Sequence, residues 1–263
     1  MQYCKNCVTP SSRPGLKFNN EGVCYPCSIS GKTSIIDWNI RREEIEEIAN
    51  WGRNNGNSSY DCIIGVSGGK DSTRQALIAR DDLGLRPLLV SCTYPPEPIA
   101  EIGAKNLSNL TELGFDTITV GPSPEIWKKL MKKAFIKYGN FGKPTEMALY
   151  AIPPRVAIAY NIPLIFLGEN NALTYGDLGG SAGGDANRMK YNNTLSGGNP
   201  SEYLDDEIKM NHIKWHYYPS DEDMEQAGLR IVYLGYYFKD FNNIENARVA
   251  RINGLICRDV SPE

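Results

Sequence analysis

Short runs of consecutive apolar residues alternate with segments of helical spacing along most of this 263-residue chain. Asp61–Val66 (DCIIGV), Pro87–Thr93 (PLLVSCT), Phe115–Val120 and Pro163–Gly168 (PLIFLG) read as strands. Helical patterns follow them, from Ser72 to about Leu83, over Ile99–Leu113, over Pro124–Tyr138, and over Met147–Tyr160 before the fourth strand, despite Pro153 and Pro154. A strand that is apolar throughout needs cover on both faces, the situation inside a parallel sheet flanked by helices. The expected fold class is therefore α/β, with a Rossmann-like parallel sheet. Ile231–Phe238 (IVYLGYYF) is a further ordered apolar segment.

The chain divides by character into residues 1–34, rich in cysteine and proline; a helix and linker over 35–58; and the α/β part over 59–263. In the second part Trp38, Ile45, Ile48 and Ala49 share one helical face, Glu43, Glu44, Glu46 and Glu47 fill the other, and Asp37 is placed to cap the N-terminus. Asn54–Ser59 reads as a loop. Seven glycines between Ala172 and Pro200 predict a long mobile loop or a lid. A formal charge of -3 argues against a chain whose main work is wrapping nucleic acid. No apolar run approaches a bilayer span, and the N-terminus lacks a signal-peptide layout, so a cytoplasmic location is expected.

Cys4-x2-Cys7 and Cys24-x2-Cys27, sixteen residues apart, have the spacing of a four-thiolate zinc site. Four protein ligands close the tetrahedron, which predicts a structural and not a catalytic ion. Ser67-Gly68-Gly69-Lys70-Asp71-Ser72 stands between the first strand and a helix. Paired glycines let backbone N–H groups approach phosphate oxygens, the helix N-terminus favours negative charge, and Lys70 adds a cation. The spacing is neither that of a Walker A loop nor G-x-G-x-x-G.

SGGKDS at the end of the first strand resembles the loop of the PP-loop ATP pyrophosphatases, which cleave ATP between the α- and β-phosphates. The N-terminal YCKNCVTPSSRPGLKFNNEGVCYPC, PPRVAIAYNIPLIFLGEN, LGYYFKDF and ENA at 245–247 resemble, within that superfamily, the N-acetyl sugar amidotransferases. The resemblance implies a PP-loop ATP pyrophosphatase domain over 59–263, with a C-terminus truncated or short relative to the family. It implies conversion of an acetamido sugar to its acetamidino form, for O-antigen or flagellar glycans. An adenylylated intermediate would form at the expense of ATP, and ammonia would come from a separate glutaminase subunit. Ser67–Ser72 would hold the departing pyrophosphate, Lys70 would stabilise its charge, and Asp71 would orient the loop or bind Mg2+. Adenine is expected near Gly65–Ser67 and Ser91–Thr93.

Glu169 and Asn170 follow the fourth strand, where ligands of open parallel sheets lie, so Lys70, Asp71 and Glu169 are the candidate catalytic residues. Tyr175, Asp177, Asp185 and Arg188 are candidates to close over a sugar. Cys62 reads as a core residue, Cys92 as a core residue or a site-lining one. His212 and His216, four apart, read as surface or packing residues, and Lys128, Lys129, Lys132 and Lys133 as a solvated helix face. The tyrosines at 217, 218, 233, 236 and 237 read as core or subunit interface, which would suit a homo-oligomer. Two other readings compete: a tRNA-thiolating PP-loop enzyme, and a non-catalytic ATP-binding scaffold.

Overall fold

The computed structural model describes residues 1–13, 15–30, 36–56, 59–93, 100–177, 179, 181–193 and 195–258. Five parallel strands form one sheet: β1 (Cys62–Val66), β2 (Pro87–Cys92), β3 (Asp116–Val120), β4 (Leu164–Leu167) and β5 (Arg230–Tyr233), in the order β3-β2-β1-β4-β5. Cys62 pairs with Pro87 and Ile63 with Ile165, so β1 is central.

Successive residues of a strand face opposite sides of a sheet, and here both sides are core. Ile63, Leu88, Val90, Ile165 and Ile231 join one apolar cluster; Cys62, Ile64, Leu89, Leu164, Phe166 and Val232 join the other. This explains why the runs show no alternation. β3 is the exception: it lies at an edge and only Val120 of its residues is buried. Buried Asp61 accepts three hydrogen bonds from Arg86, one from its backbone N–H at 2.8 Å and two from its guanidinium at 2.6 and 3.2 Å, tying together the N-terminal ends of β1 and β2.

Helix α1 (Tyr25–Ser30) belongs to the cysteine module; the 34/35 boundary itself lies outside the described residues. Helix α2 (Trp38–Asn55) is capped by Asp37, whose carboxylate accepts the backbone N–H groups of Asn39 and Ile40, and it buries Ile45, Ile48 and Ala49 against the second cluster. Helix α3 (Lys70–Leu77) continues into a π-helical turn, Ile78–Asp82, where the sequence suggests one helix. Helix α4 (Glu101–Glu112) is shorter than predicted; Ile99 lies outside the described residues. Helix α5 spans Pro124–Tyr138 as expected. Helix α6 (Lys143–Tyr160) starts four residues before the expected Met147 and carries Pro153 and Pro154 buried in its interior. Helices α5 and α6 cover the first side of the sheet. Short helices α7 (Asn171–Tyr175) and α8 (Asp221–Gln226) and the C-terminal α9 (Asn243–Ile252) complete the set, with α9 packed along α3.

The glycine-rich segment is irregular along its described residues, as its composition suggests, but it is packed against the sheet edge. Asp185 bridges Val232 in antiparallel fashion, the N–H of Ala186 donates to the Ile231 carbonyl, and that of Tyr233 donates to the Gly184 carbonyl, both at 2.8 Å. The segment thus covers the open edge of β5, and Ala186, Met189, Lys190, Asn192 and Leu195 are buried. Its glycines mark close approach: a Cβ on Gly184 would lie 2.1 Å from the Tyr237 hydroxyl, and one on Gly198 2.4 Å from the Tyr218 Cβ. Gly180 lies outside the described residues. Among the described residues, no helix is long and apolar enough to cross a membrane.

Candidate active site

The loop after β1 is built around Gly68, whose φ of +74 suits glycine. Any side chain there would also strike α4, with the Leu107 nitrogen 2.7 Å from a Cβ. Gly69 is the N-cap of α3. The Ser72 hydroxyl accepts the Ser67 N–H at 3.4 Å and donates to the Gly69 carbonyl at 3.1 Å, closing the turn on itself.

Lys70 forms an ion pair with Asp71 at 2.5 Å. The other oxygen of the Asp71 carboxylate accepts the side-chain amide of Asn246 at 2.9 Å. Asn246 is buried on α9, and Arg74 of α3 pairs with Asp240, just before α9, at 2.7 Å. The C-terminal helix therefore clamps the loop-bearing helix.

Glu169 stands just beyond β4. The cavity walls desolvate its carboxyl and raise its pKa, the Asp71 charge raises it further, and Lys70 pulls it down. Lys70, Asp71 and Glu169 thus share one electrostatic environment. Asn170 has a different job: buried, it caps α7 by accepting the Ala172 N–H and donates to the Ser181 and Gly183 carbonyls, which excludes it from the ligand-facing role that its position suggests.

Gly65, Val66, Ser67, Asp71, Ser72 and Glu169 border a cavity of about 1120 Å3, whereas Gly68, Gly69 and Lys70 are not among its lining residues. Cys92 and Val90 line it at the end of β2, and Thr145, Glu146 and Tyr150 line it from α6. Burial pushes the Cys92 thiol up to about 12. Cys62 is fully buried at the other end of its strand. Of the residues expected to close over a substrate, Tyr175 and Asp177 line this cavity. Asp185 and Arg188 do not; they face a separate depression of about 760 Å3 beside Trp51 and Tyr237, because covering the β5 edge turns them away.

The four module cysteines converge. Their sulfurs lie within 4.8 Å of one another, and Cys7 and Cys24 are 3.6 Å apart. A zinc ion with Zn–S bonds of about 2.3 Å sets tetrahedral sulfurs roughly 3.8 Å apart, so the cage fits a single ion. The backbone N–H of Cys24 donates to the Cys4 sulfur at 3.3 Å and lowers its pKa to about 6. Cys27, surrounded by the other three sulfurs, is pushed up to about 12. Four sulfurs this close could hold a metal ion. His216 is buried edge-on against Trp127, which depresses its pKa to about 4. His212 accepts the Lys209 N–H at 3.2 Å. Neither joins a metal-ligand cluster among the described residues. The lysine face of α5 is partly engaged: Lys129 pairs with Glu125 and Glu207, and Lys133 with Asp205.

Asn246, Gln75 and Arg13 border or support the site without a sequence signal that assigns them to it. The ENA stretch at 245–247 contributes to the family resemblance, yet nothing in its spacing points to Asp71.

No family model matches the chain, and no curated protein matches it. Solved structures share parts of the fold. An NH3-dependent NAD synthetase from Campylobacter jejuni, in complex with the nitrate ion, is 18% identical over 54% of this chain and 61% of its own, with a TM-score of 0.38. The chain thus spans less than two thirds of that protein. A predicted subunit of tRNA methyltransferase from Methanocaldococcus jannaschii is 14% identical over 72% of this chain and 73% of its own, with a TM-score of 0.37. The U34-tRNA thiolase of Methanococcus maripaludis, carrying a 4Fe-4S cluster, is 14% identical over 96% of this chain and 80% of its own, with a TM-score of 0.34.

Proposed function

We propose that the protein is an AMP-forming, ATP-dependent amidotransferase that converts the acetamido group of a sugar to an acetamidino group. The observation that carries this reading is that Ser67, Asp71 and Ser72 of the loop line one large cavity together with Glu169. Its volume of about 1120 Å3 exceeds what a single drug-sized ligand needs and leaves room for a second substrate beside a nucleotide.

An amide carbonyl is a poor electrophile. Attack of its oxygen on the α-phosphorus of ATP breaks the α–β bridge, releases pyrophosphate and yields an O-adenylyl imidate. Ammonia then adds to that carbon and AMP leaves with the original amide oxygen, so amide, ammonia and ATP become amidine, AMP and pyrophosphate. Loop N–H groups and Lys70 are the donors for the pyrophosphate charge. Asp71 and Glu169 would hold Mg2+, an ion that takes one or two carboxylates with phosphate and water oxygens and neutralises phosphate charge. The cysteine cage suits one Zn2+; a cubane cluster spreads its four thiolates more widely. Ammonia from a separate glutaminase completes the reading.

A second reading is a tRNA thiolase using the same ATP site. Cys92 favours it by placing a thiol in the cavity, yet burial keeps that thiol protonated at neutral pH, whereas the thiolate is the nucleophile. The test is incubation with ATP, Mg2+, ammonium and either acetamido sugars or tRNA. AMP that carries an 18O label from a sugar amide, with amidine mass in the product, supports the first reading. AMP formed only with tRNA overturns it.

A further inference from the structure

The cysteine module reaches the cavity. A Cβ on Gly176, at the end of α7, would lie 2.5 Å from the Leu16 Cδ1 and 3.1 Å from the Pro26 Cδ, so the module is seated on α7 without a gap. The joint places the Arg13 guanidinium 4.9 Å from the centre of the Tyr175 ring, and both side chains line the cavity that holds Asp71 and Glu169.

The charges around Arg13 single it out. The lining carboxylates are Asp71, Glu146, Glu169 and Asp177. Asp71 is engaged by Lys70 and Asn246, and Asp177 accepts the backbone N–H groups of Gly179 and Asn193. Arg13 pairs with no carboxylate among the described residues; its one side-chain partner is the face of Tyr175. Stacking on an aromatic face leaves the edge of a guanidinium, with its N–H donors, free to bind an oxyanion in a two-pronged manner. The loop and Lys70 already supply donors for the ATP phosphates from the β1 end, whereas Arg13 arrives from a separate module beyond β4.

We infer that the second substrate is an anion: besides the amide to be activated, it carries a phosphate or carboxylate oxyanion that Arg13 receives, which makes the cysteine module a wall of the substrate site. The inference rests on the acetamido-sugar reading above and narrows its substrate class.

The test is calorimetric titration of the full chain, loaded with α,β-methylene ATP, using three probes: UDP-N-acetylglucosamine, N-acetylneuraminate and neutral N-acetylglucosamine. The expected result is that at least one anionic probe binds about tenfold or more tightly than the neutral sugar, the size of one charge-assisted hydrogen bond. Which anionic probe wins distinguishes a diphosphate from a carboxylate. Arg13→Ala should erase this preference and Arg13→Lys restore part of it, while metal content, neutral-sugar affinity and ATP affinity stay within about twofold. Anionic probes that bind Arg13→Ala as tightly as the parent chain overturn the inference and leave the sugar reading standing. So does a loss of ATP affinity in that variant, which would assign Arg13 to the nucleotide. If ATP binds but no acetamido sugar of any charge does, the sugar reading itself falls and takes the inference with it.

Discussion

Asp71 has two partners before any ligand arrives, Lys70 at 2.5 Å and Asn246 at 2.9 Å, and they hold different oxygens of its carboxylate. Asn246→Ala removes the neutral partner and lets the carboxylate turn toward Lys70, away from the orientation in which the proposed mechanism has it hold a cation. A hydrogen bond to a charged group contributes about 1.5–3 kcal/mol, so AMP formation should fall roughly 10- to 100-fold while the fold survives. Unchanged turnover in that variant would show that Asp71 needs no such support. In the proposed mechanism Glu169 sets the pH response. Its pKa is raised by burial and by the Asp71 charge, and only the ionised form binds a cation. Activity should therefore fall with acid at a pH above the ordinary glutamate value of 4.5. Carbon NMR of labelled Glu169 should show that Lys70→Met raises this pKa further, because Lys70 is the group pulling it down. Glu169→Gln should abolish that acid limb. SGGKDS announced Asp71 because its neighbours are adjacent in sequence. Asn246 is 175 residues away, in a helix whose pattern reports only which face is buried.

At the scale of elements, the strands were legible for a physical reason: each central strand fills two cores, so apolar residues run without interruption. The packing of the glycine-rich segment was not legible because glycine serves two ends, freedom and close approach, and composition does not separate them. Here a carbonyl, an N–H and a bridge hold Gly184–Ala186 against β5. Such cover also protects a sheet edge from pairing with other chains. Gly184→Ala would push a methyl group to 2.1 Å from the Tyr237 hydroxyl, and relief requires moving either the ring or the covering segment. Overpacking of this kind costs about 1–3 kcal/mol. The urea midpoint should drop accordingly, and light scattering should show more self-association once the β5 edge loosens. A midpoint equal to that of the parent would mean the cover is not fixed in solution.

Across the whole molecule, two segments that stood far apart in character, the cysteine module and the loop after β1, both contribute to the lining of one cavity, the module through Arg13 and the loop through Ser67, Asp71 and Ser72. Sequence spacing could place each motif but not their junction, which depends on α7 and on Gly176 accepting Leu16 and Pro26. The module itself has little apolar core: of its four cysteines, Cys4 and Cys24 are buried and Cys7 is exposed. A structural zinc ion supplies folding free energy on the order of 10 kcal/mol in small modules of this type, far more than residues 1–30 could gather by burial. The sheet, with a core on each side, has no such dependence. Chelation should therefore release one metal ion per chain and remove hydrogen-exchange protection from residues 1–30 and from Asn171–Tyr175. The strands β1–β5 should stay protected, and ATP affinity should change less than about threefold, since Ser67–Ser72 is anchored by α3 and α9 and not by the module. Substrate-dependent AMP formation should nevertheless be lost with the wall that carries Arg13. Global loss of protection on chelation would instead make the module part of one cooperative core, and undiminished turnover would confine its role to folding.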